Sequence, residues 1–277
     1  MNKNYYVKNI NYYARILIMS LILLTGAWVL FSGVEWYWIL IAGAYTIILN
    51  DVFCHRICAH RMFKIKVDSK LYKILVFLAS IDMGYGPVKD VVIAHGLHHI
   101  HSDKGPEDNM NWRYHWYSTT IVSPIPRLND VKPKNYEEYL QKQTHKHHNI
   151  WSDPWTDFCS RHHVKISFLT CLVLAVLCPV ILLKVICLGR FLLTVMTGIA
   201  GSVGHMDFFP GSYRNFKTND TSSNSIVFHY LFLGLYTGML QNNHHANPAS
   251  IKPNPRWWEI DTSYPFVLAL KHFIEKK

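Results

Sequence analysis

Four apolar stretches set the limits on what this chain can fold into. Ile16 to Gly33 carries no charged residue and, as a helix, approaches the thickness of a bilayer's hydrocarbon core. Ser32-Gly33 predicts a turn into a second apolar run, Val34 to Leu49. Ile166 to Leu183 and Phe191 to Gly204 repeat the arrangement later in the chain. Leu71 to Ile81 is apolar but too short to span, which predicts an interfacial or cap helix. Ile226 to Leu240 is short and rich in glycine and aromatics, so it reads as an interfacial or partly inserted helix. The expectation is one all-α membrane domain over residues 1–277. Its four transmembrane helices, at about 14–33, 34–53, 165–184 and 189–205, form two hairpins, and a helical cap is built from 54–163 and 206–277.

Charge sets the orientation. Lys3, Lys8 and Arg15 precede the first hairpin, and Arg56, Arg61, Lys64 and Lys66 follow it, while its turn has neither Lys nor Arg. The positive-inside rule then puts both termini and the cap in the cytosol. Lys184 and Arg190, at the second turn, run against that rule. Only 17% of residues are charged, against roughly 25% in soluble domains, and the net charge is +10. Without clustered Lys/Arg runs the excess fits anionic lipid headgroups, an acidic headgroup on a substrate or an acidic protein donor; nucleic acid is not an expected partner. None of the six cysteines forms a C-x-x-C pair, so buried free thiols are expected. No small-residue cleavage site follows the first apolar run, so a removed leader is not expected.

Against this apolar background stand 17 histidines, and three groups are dense. His95, His98 and His99 have i, i+3, i+4 spacing, which places three imidazoles on one helical face. His244 and His245 repeat it with Gln241 in first place. His55 and His60 lie five apart, about 140° past a full turn of an α-helix, so they face one centre only where the helix bends or ends; otherwise they serve different metals. His205 closes the fourth apolar run at the same membrane boundary. At least eight histidines at one boundary, where unpaired polar groups are costly, point to metal binding. Structural zinc needs four ligands, haem one or two, and calcium and magnesium prefer oxygen. Two imidazole-bound irons with places left for oxygen match the count, as two copper ions also would. Asp51, Asp103, Asn243 and Asp261 are expected to orient the ligands. His115, His145, His147, His148, His162, His163, His229 and His272 are expected at the solvated surface.

These residues resemble the membrane fatty acid desaturases, and most closely the Delta-9 branch of stearoyl-CoA and acyl-lipid desaturases. His55-Arg-Ile-Cys-Ala-His60-Arg-Met-Phe is similar to that branch's HRxxAHRxF, His95-Gly-Leu-His-His-Ile-His-Ser-Asp103 to its HRxHHxxSD, and Asn242-Asn-His-His-Ala-Asn-Pro248 to its HNNHHAxP. Trp257-Trp-Glu-Ile-Asp261 matches a tail segment. The resemblance runs from about Asp51 to Tyr264. It implies a non-haem di-iron centre on the cytosolic side of four spans, with His55, His60, His95, His98, His99, His205, His244 and His245 as ligands. It implies O2 as co-substrate and a cis double bond made by removing two hydrogens from a fatty acyl chain carried on CoA, lipid or acyl carrier protein. The electrons would come from a separate donor such as ferredoxin or cytochrome b5.

Two positions depart from the branch's pattern. Its last span ends T-x-x-x-N-S-x-x-H, with an Asn that assists one iron through water. Here the stretch is Thr197-Gly-Ile-Ala-Gly201-Ser-Val-Gly-His205, with glycine in that place. The third box begins with Gln241, a weaker ligand than imidazole, where the branch has His. Related readings are an acyl hydroxylase using the same centre and a non-catalytic lipid-binding relative. Gly84-Tyr-Gly-Pro87 and the aromatics around Trp112 and Trp116 are candidates to line the substrate's path.

Overall fold

The structure is a computed structural model that describes residues 9–82, 86–105, 108, 111, 136–206, 208–232 and 238–276. The Gly84–Tyr85 part of the expected substrate path, His115, Trp112 and Trp116 lie outside these residues.

The described chain is mainly helical. Helix α1 (Asn9–Phe31) ends at the expected turn, where Gly33 takes a φ of 84° that a side chain would disfavour. Helix α2 (Trp36–Thr46) runs without a break into a π-helix (Ile47–Ala59). Helix α3 (Lys70–Asp82), thirteen residues long, packs along α7 (Pro154–Leu177). Helix α4 (Val88–His101) packs against the π-helix. Helices α5 (Tyr136–Lys146) and α6 (His148–Ser152) lead into α7. The start of α7 is locally specified: Asp153 Oδ2 accepts from Thr156 N at 2.7 Å and Pro154 takes the first turn, where no backbone donor is needed. Helix α8 (Pro179–Val203) includes a π segment, Leu182–Cys187.

Beyond α8 an antiparallel pair of two-residue strands, β1 (Ser212–Tyr213) and β2 (Asn224–Ser225), interrupts the all-α expectation, with Ser212 opposite Ser225. Helix α9 (Ile226–Leu231) is six residues long, not the Ile226–Leu240 helix expected, and residues 233–237 are not described. Helix α10 (Gln241–Ala246) and α11 (Tyr264–Ile274) follow.

Among the described residues three helices are long and apolar enough to cross a membrane: Trp36–Ala59, Pro154–Leu177 and Pro179–Val203. The described apolar part of α1, Leu17–Phe31, is shorter. Helices consecutive in sequence are not each other's main partners. Helix α8 lies against α1 and α2, while α7 lies against α3 and α4. Gly26 makes the close approach of α1 possible, since a Cβ there would collide with the Cys187 carbonyl and the Phe191 Cβ on α8. Leu24, Phe31, Leu40, Leu172, Val176 and Leu177 remain exposed on α1, α2 and α7, an apolar surface of the kind a lipid phase covers.

The break between α7 and α8 falls at Cys178, not at the turn expected after Leu183, so Lys184 lies inside α8; its Nζ is 2.6 Å from Glu35 Oε2 and over the Trp38 ring. Arg190 is buried inside α8. The two charges that ran against the positive-inside rule are therefore an ion-paired lysine and an interior arginine. All six cysteines are free, with Cys54, Cys58, Cys159 and Cys187 buried.

Candidate metal centre

The π-helix settles how His55 and His60 meet. Its carbonyls bond five residues ahead, and His60 N donates to His55 O at 3.1 Å. Residues i and i+5 thus stack along the axis, which an α-helix does not allow. The two rings lie 4.9 Å apart. Arg61 then takes a left-handed φ of 54°, which stops the helix directly after the second histidine.

Helix α4 supplies the second set on one face, as its spacing predicts. His95 Nε2 lies 2.8 Å from His60 Nε2, and His99 Nε2 lies 3.0 Å from the Nε2 atoms of both His95 and His244. His55 Nε2 and His244 Nε2 are 3.1 Å apart. On the other side of His99, His98 Nε2 and His245 Nε2 are 3.2 Å apart, and the His205 ring lies 4.8 Å from that of His245. Two groups of nitrogens result, each within 4.8 Å: His55, His60, His95 and His244, and His98, His205 and His245. His99 joins them, bonded toward the first and stacked 4.5 Å from His245.

Carboxylates behind the rings assign their tautomers. Nδ1 of His55 faces Asp51 at 3.1 Å, His98 faces Asp108 at 2.8 Å, His205 faces Asp103 at 3.0 Å and His245 faces Asp220 at 2.8 Å. A neutral imidazole that donates from Nδ1 carries a bare lone pair on Nε2. The His98 and His245 Nε2 atoms, 3.2 Å apart, are close enough to share a proton or to bind one metal ion between them. The donor set therefore fits a metal. Burial pushes His60, His95, His99 and His244 well below the ordinary histidine value, and the neighbouring rings push the same way. Burial lowers His245 to about 4, outweighing Asp220. For His98 burial is outweighed by Asp108, which raises it. Burial would raise Asp103, but its bond to His205 prevails and holds it at about 2. Mostly neutral imidazoles backed by ionised carboxylates are the form metal ligands require.

The orienting residues differ in part from those expected. Asp51 and Asp103 are in place. Asn243 and Asp261 touch no imidazole. Asn243 is fully buried and bonds Asn215, Asn224 and Asn254, which fastens α10 to the preceding loop. A six-residue helix has little stability of its own, so this network is what holds His244 and His245. Asp261 accepts from Arg56 at 2.9 Å and from Ser263, tying the C-terminal segment to the π-helix. Asp108 and Asp220 stand behind His98 and His245. Asp220 is the only acid between Asp207 and Glu259, a signal the sequence carried. Asp103 is the second non-glycine residue with a left-handed φ, 61°; that turn ends α4 and swings its carboxylate onto His205 and Thr221 N.

Gln241 Nε2 donates to Gly238 O at 2.6 Å, and the residue lines a small cavity with Asp51, His55 and His244. His147, His163 and His229 are buried, against the expected surface placement. His163 places Nδ1 on Ser160 O at 2.8 Å. His145, His148, His162 and His272 are exposed as expected.

The fold and site thus define a helical protein with membrane-length segments and histidine groups able to hold metal. Two curated relatives resemble it. The chain is 27% identical over 223 residues to an sn-1 stearoyl-lipid 9-desaturase of Anabaena variabilis, covering 78% of this chain and 73% of that protein. It is 27% identical over 224 residues to Delta-9 acyl-lipid desaturase 2 of Arabidopsis thaliana, covering 77% of this chain and 64% of that protein's length. The relationship to desaturases is distant at this identity. No protein-family model matches the chain.

Proposed function

We propose that this chain is a membrane fatty acyl desaturase with a di-iron centre. The observation that carries the reading is the convergence of seven imidazoles into two groups, with His99 between them, at one end of membrane-length helices, together with the distant similarity to two acyl-lipid desaturases.

In this reading α1 is a fourth span, its exposed apolar face lying in lipid. The end bearing His55, His60 and His205 faces the cytosol, where Arg56, Arg61, Lys64 and Lys66 gather. His55, His60, His95, His99 and His244 hold one iron, and His98, His205 and His245 hold the other. Bound iron would supply oxygen activation for breaking an unactivated C–H bond. Asp51, Asp103, Asp108 and Asp220 keep Nδ1 protonated and aim Nε2 inward. Arg56 and the Asn243 network keep water and backbone motion away from the centre. The substrate is a long acyl chain, whose burial contributes roughly 0.8 kcal/mol per CH₂. A separate protein supplies the electrons.

Expression in a host that makes no unsaturated fatty acids, followed by lipid analysis, tests this. A new cis double bond, lost in His99→Ala and absent without oxygen, is the expected result. A hydroxylated chain would replace desaturation with the related hydroxylase reading. Metal-loaded protein that gives neither product with several electron donors would overturn the enzymatic reading.

A further inference from the structure

We propose that the cavity between the loop after the π-helix and the C-terminal end of α11 binds a phosphate-bearing organic ligand of about nucleotide size. The site uses none of the clustered histidines, so it stands or falls apart from the metal reading.

The cavity has a volume of about 610 Å³ and is lined by residues 64–68, 149, 272, 273, 275 and 276. That is the size of a small-molecule site and far more than a bare ion needs. Two of its walls are joined as an antiparallel bridge. Ile65 pairs with Glu275, Lys66 N donates to Ile274 O at 2.8 Å and Lys276 N donates to Lys64 O at 2.7 Å. Asn149 Nδ2 donates to Ile65 O at 3.1 Å, which fastens α6 to the same wall. The cavity is therefore framed by backbone bonding and is not a gap between loose side chains.

Its charge points to an anion. The register of the bridge sets Lys64 opposite Lys276, and like charges in that relation are unfavourable on their own. Lys66, two residues along, shares the side of Lys64. Among the described residues no carboxylate pairs with Lys64, Lys66 or Lys276. Two acids also line the cavity, but Glu275 Oε1 has its own lysine, Lys271, 3.8 Å away, which leaves Asp68 against three ammonium groups. Positive charge is crowded just behind α6 as well: burial, and then the charge of Arg61, hold Lys146 below its ordinary value. Several ammonium groups around one space suit phosphate, whose oxygens can accept from more than one of them. Ile65, Val67 and the 63% exposed ring of Phe273 offer apolar surface to the organic part of such a ligand.

The phosphate can belong to a free nucleotide or to a lipid headgroup. Calorimetric titration of the full chain in detergent, with ADP and separately with a short-chain phosphatidylinositol phosphate, tests the site and separates these sources. One probe molecule bound per chain is expected, in metal-loaded and chelator-treated protein alike. Saturation by ADP assigns a soluble ligand, and saturation by the lipid alone assigns a headgroup. The Lys64→Gln, Lys66→Gln double variant should weaken binding by about tenfold or more, since hydrogen bonds to charged groups are the stronger kind. Lys276→Gln gives a second reading on the opposite wall should the double variant fail to fold. Lys142→Gln, at an exposed lysine paired with Glu138, should leave binding unchanged. Absence of saturable binding by either probe overturns the proposal, as does affinity within twofold of the parent in the folded lysine variants. An equal loss in Lys142→Gln, or binding only when metal is present, overturns it too. None of these outcomes touches the iron content of the chain, on which the metal reading is judged.

Discussion

Asp220→Asn isolates what a carboxylate behind a ligand does. Asp220 Oδ2 accepts from His245 Nδ1 at 2.8 Å, while Oδ1 accepts from Ser222 N at 3.0 Å and Thr218 Oγ1 at 2.7 Å. Those donors and His245 hold the carboxylate well below its usual range despite burial, so it is ionised. Asparagine keeps the oxygen that Thr218 and Ser222 need, but turns an amide N–H toward His245. The imidazole then accepts at Nδ1, its own proton moves to Nε2, and the lone pair that faced His98 is lost. Loss of such a partner commonly weakens metal binding 10–100-fold, or about 1.4–2.7 kcal/mol. Competition between purified protein and a graded chelator measures this at the more weakly held metal. An Asp220→Asn chain that is folded and within twofold of the parent affinity would refute the reasoning that this carboxylate sets the tautomer.

Other consequences are separable. Asp261→Asn, which weakens the buried Arg56 contact without touching an imidazole, should lower stability by about 1–3 kcal/mol while leaving metal affinity unchanged; thermal melts with and without metal check both halves. Gly26→Leu should destabilise the packing of α1 on α8 by about 1–3 kcal/mol or more, seen as a lower melting temperature in detergent. Lys184→Ala removes a partly exposed ion pair with Glu35 and should change stability by less than about 1 kcal/mol. Stripping metal with a chelator should lower the melting temperature, and the drop should reverse with iron concentration as mass action requires.

Much of this architecture was legible because its signals are local. Apolar runs lie within the long helices, although the later two meet at Cys178 and not near Lys184, and Ser32-Gly33 marks a turn where Gly33 takes a positive φ. The i, i+3, i+4 spacing of His95, His98 and His99 survives unchanged in α4. The pairing of His55 with His60 was not decidable, because nothing in their composition announces that the helix changes from i+4 to i+5 bonding over Ile47–Ala59. Asp220 is not marked by any periodicity, since it reaches His245, 25 residues away, through a loop. Asn243 and Asp261 have the polar groups an orienting partner needs, but they spend them on holding their segments in place. His229 was placed at the surface by type, yet it is fully buried beside Tyr230.

The claim that the two histidine groups form one dinuclear centre is tested most directly by iron content per folded chain. The account predicts about two irons per chain in the parent. His95→Ala and His60→Ala should act on the five-imidazole site, and His205→Ala should lower the count toward one by emptying the other. A folded parent chain that holds one iron or none under saturating iron(II) would contradict it.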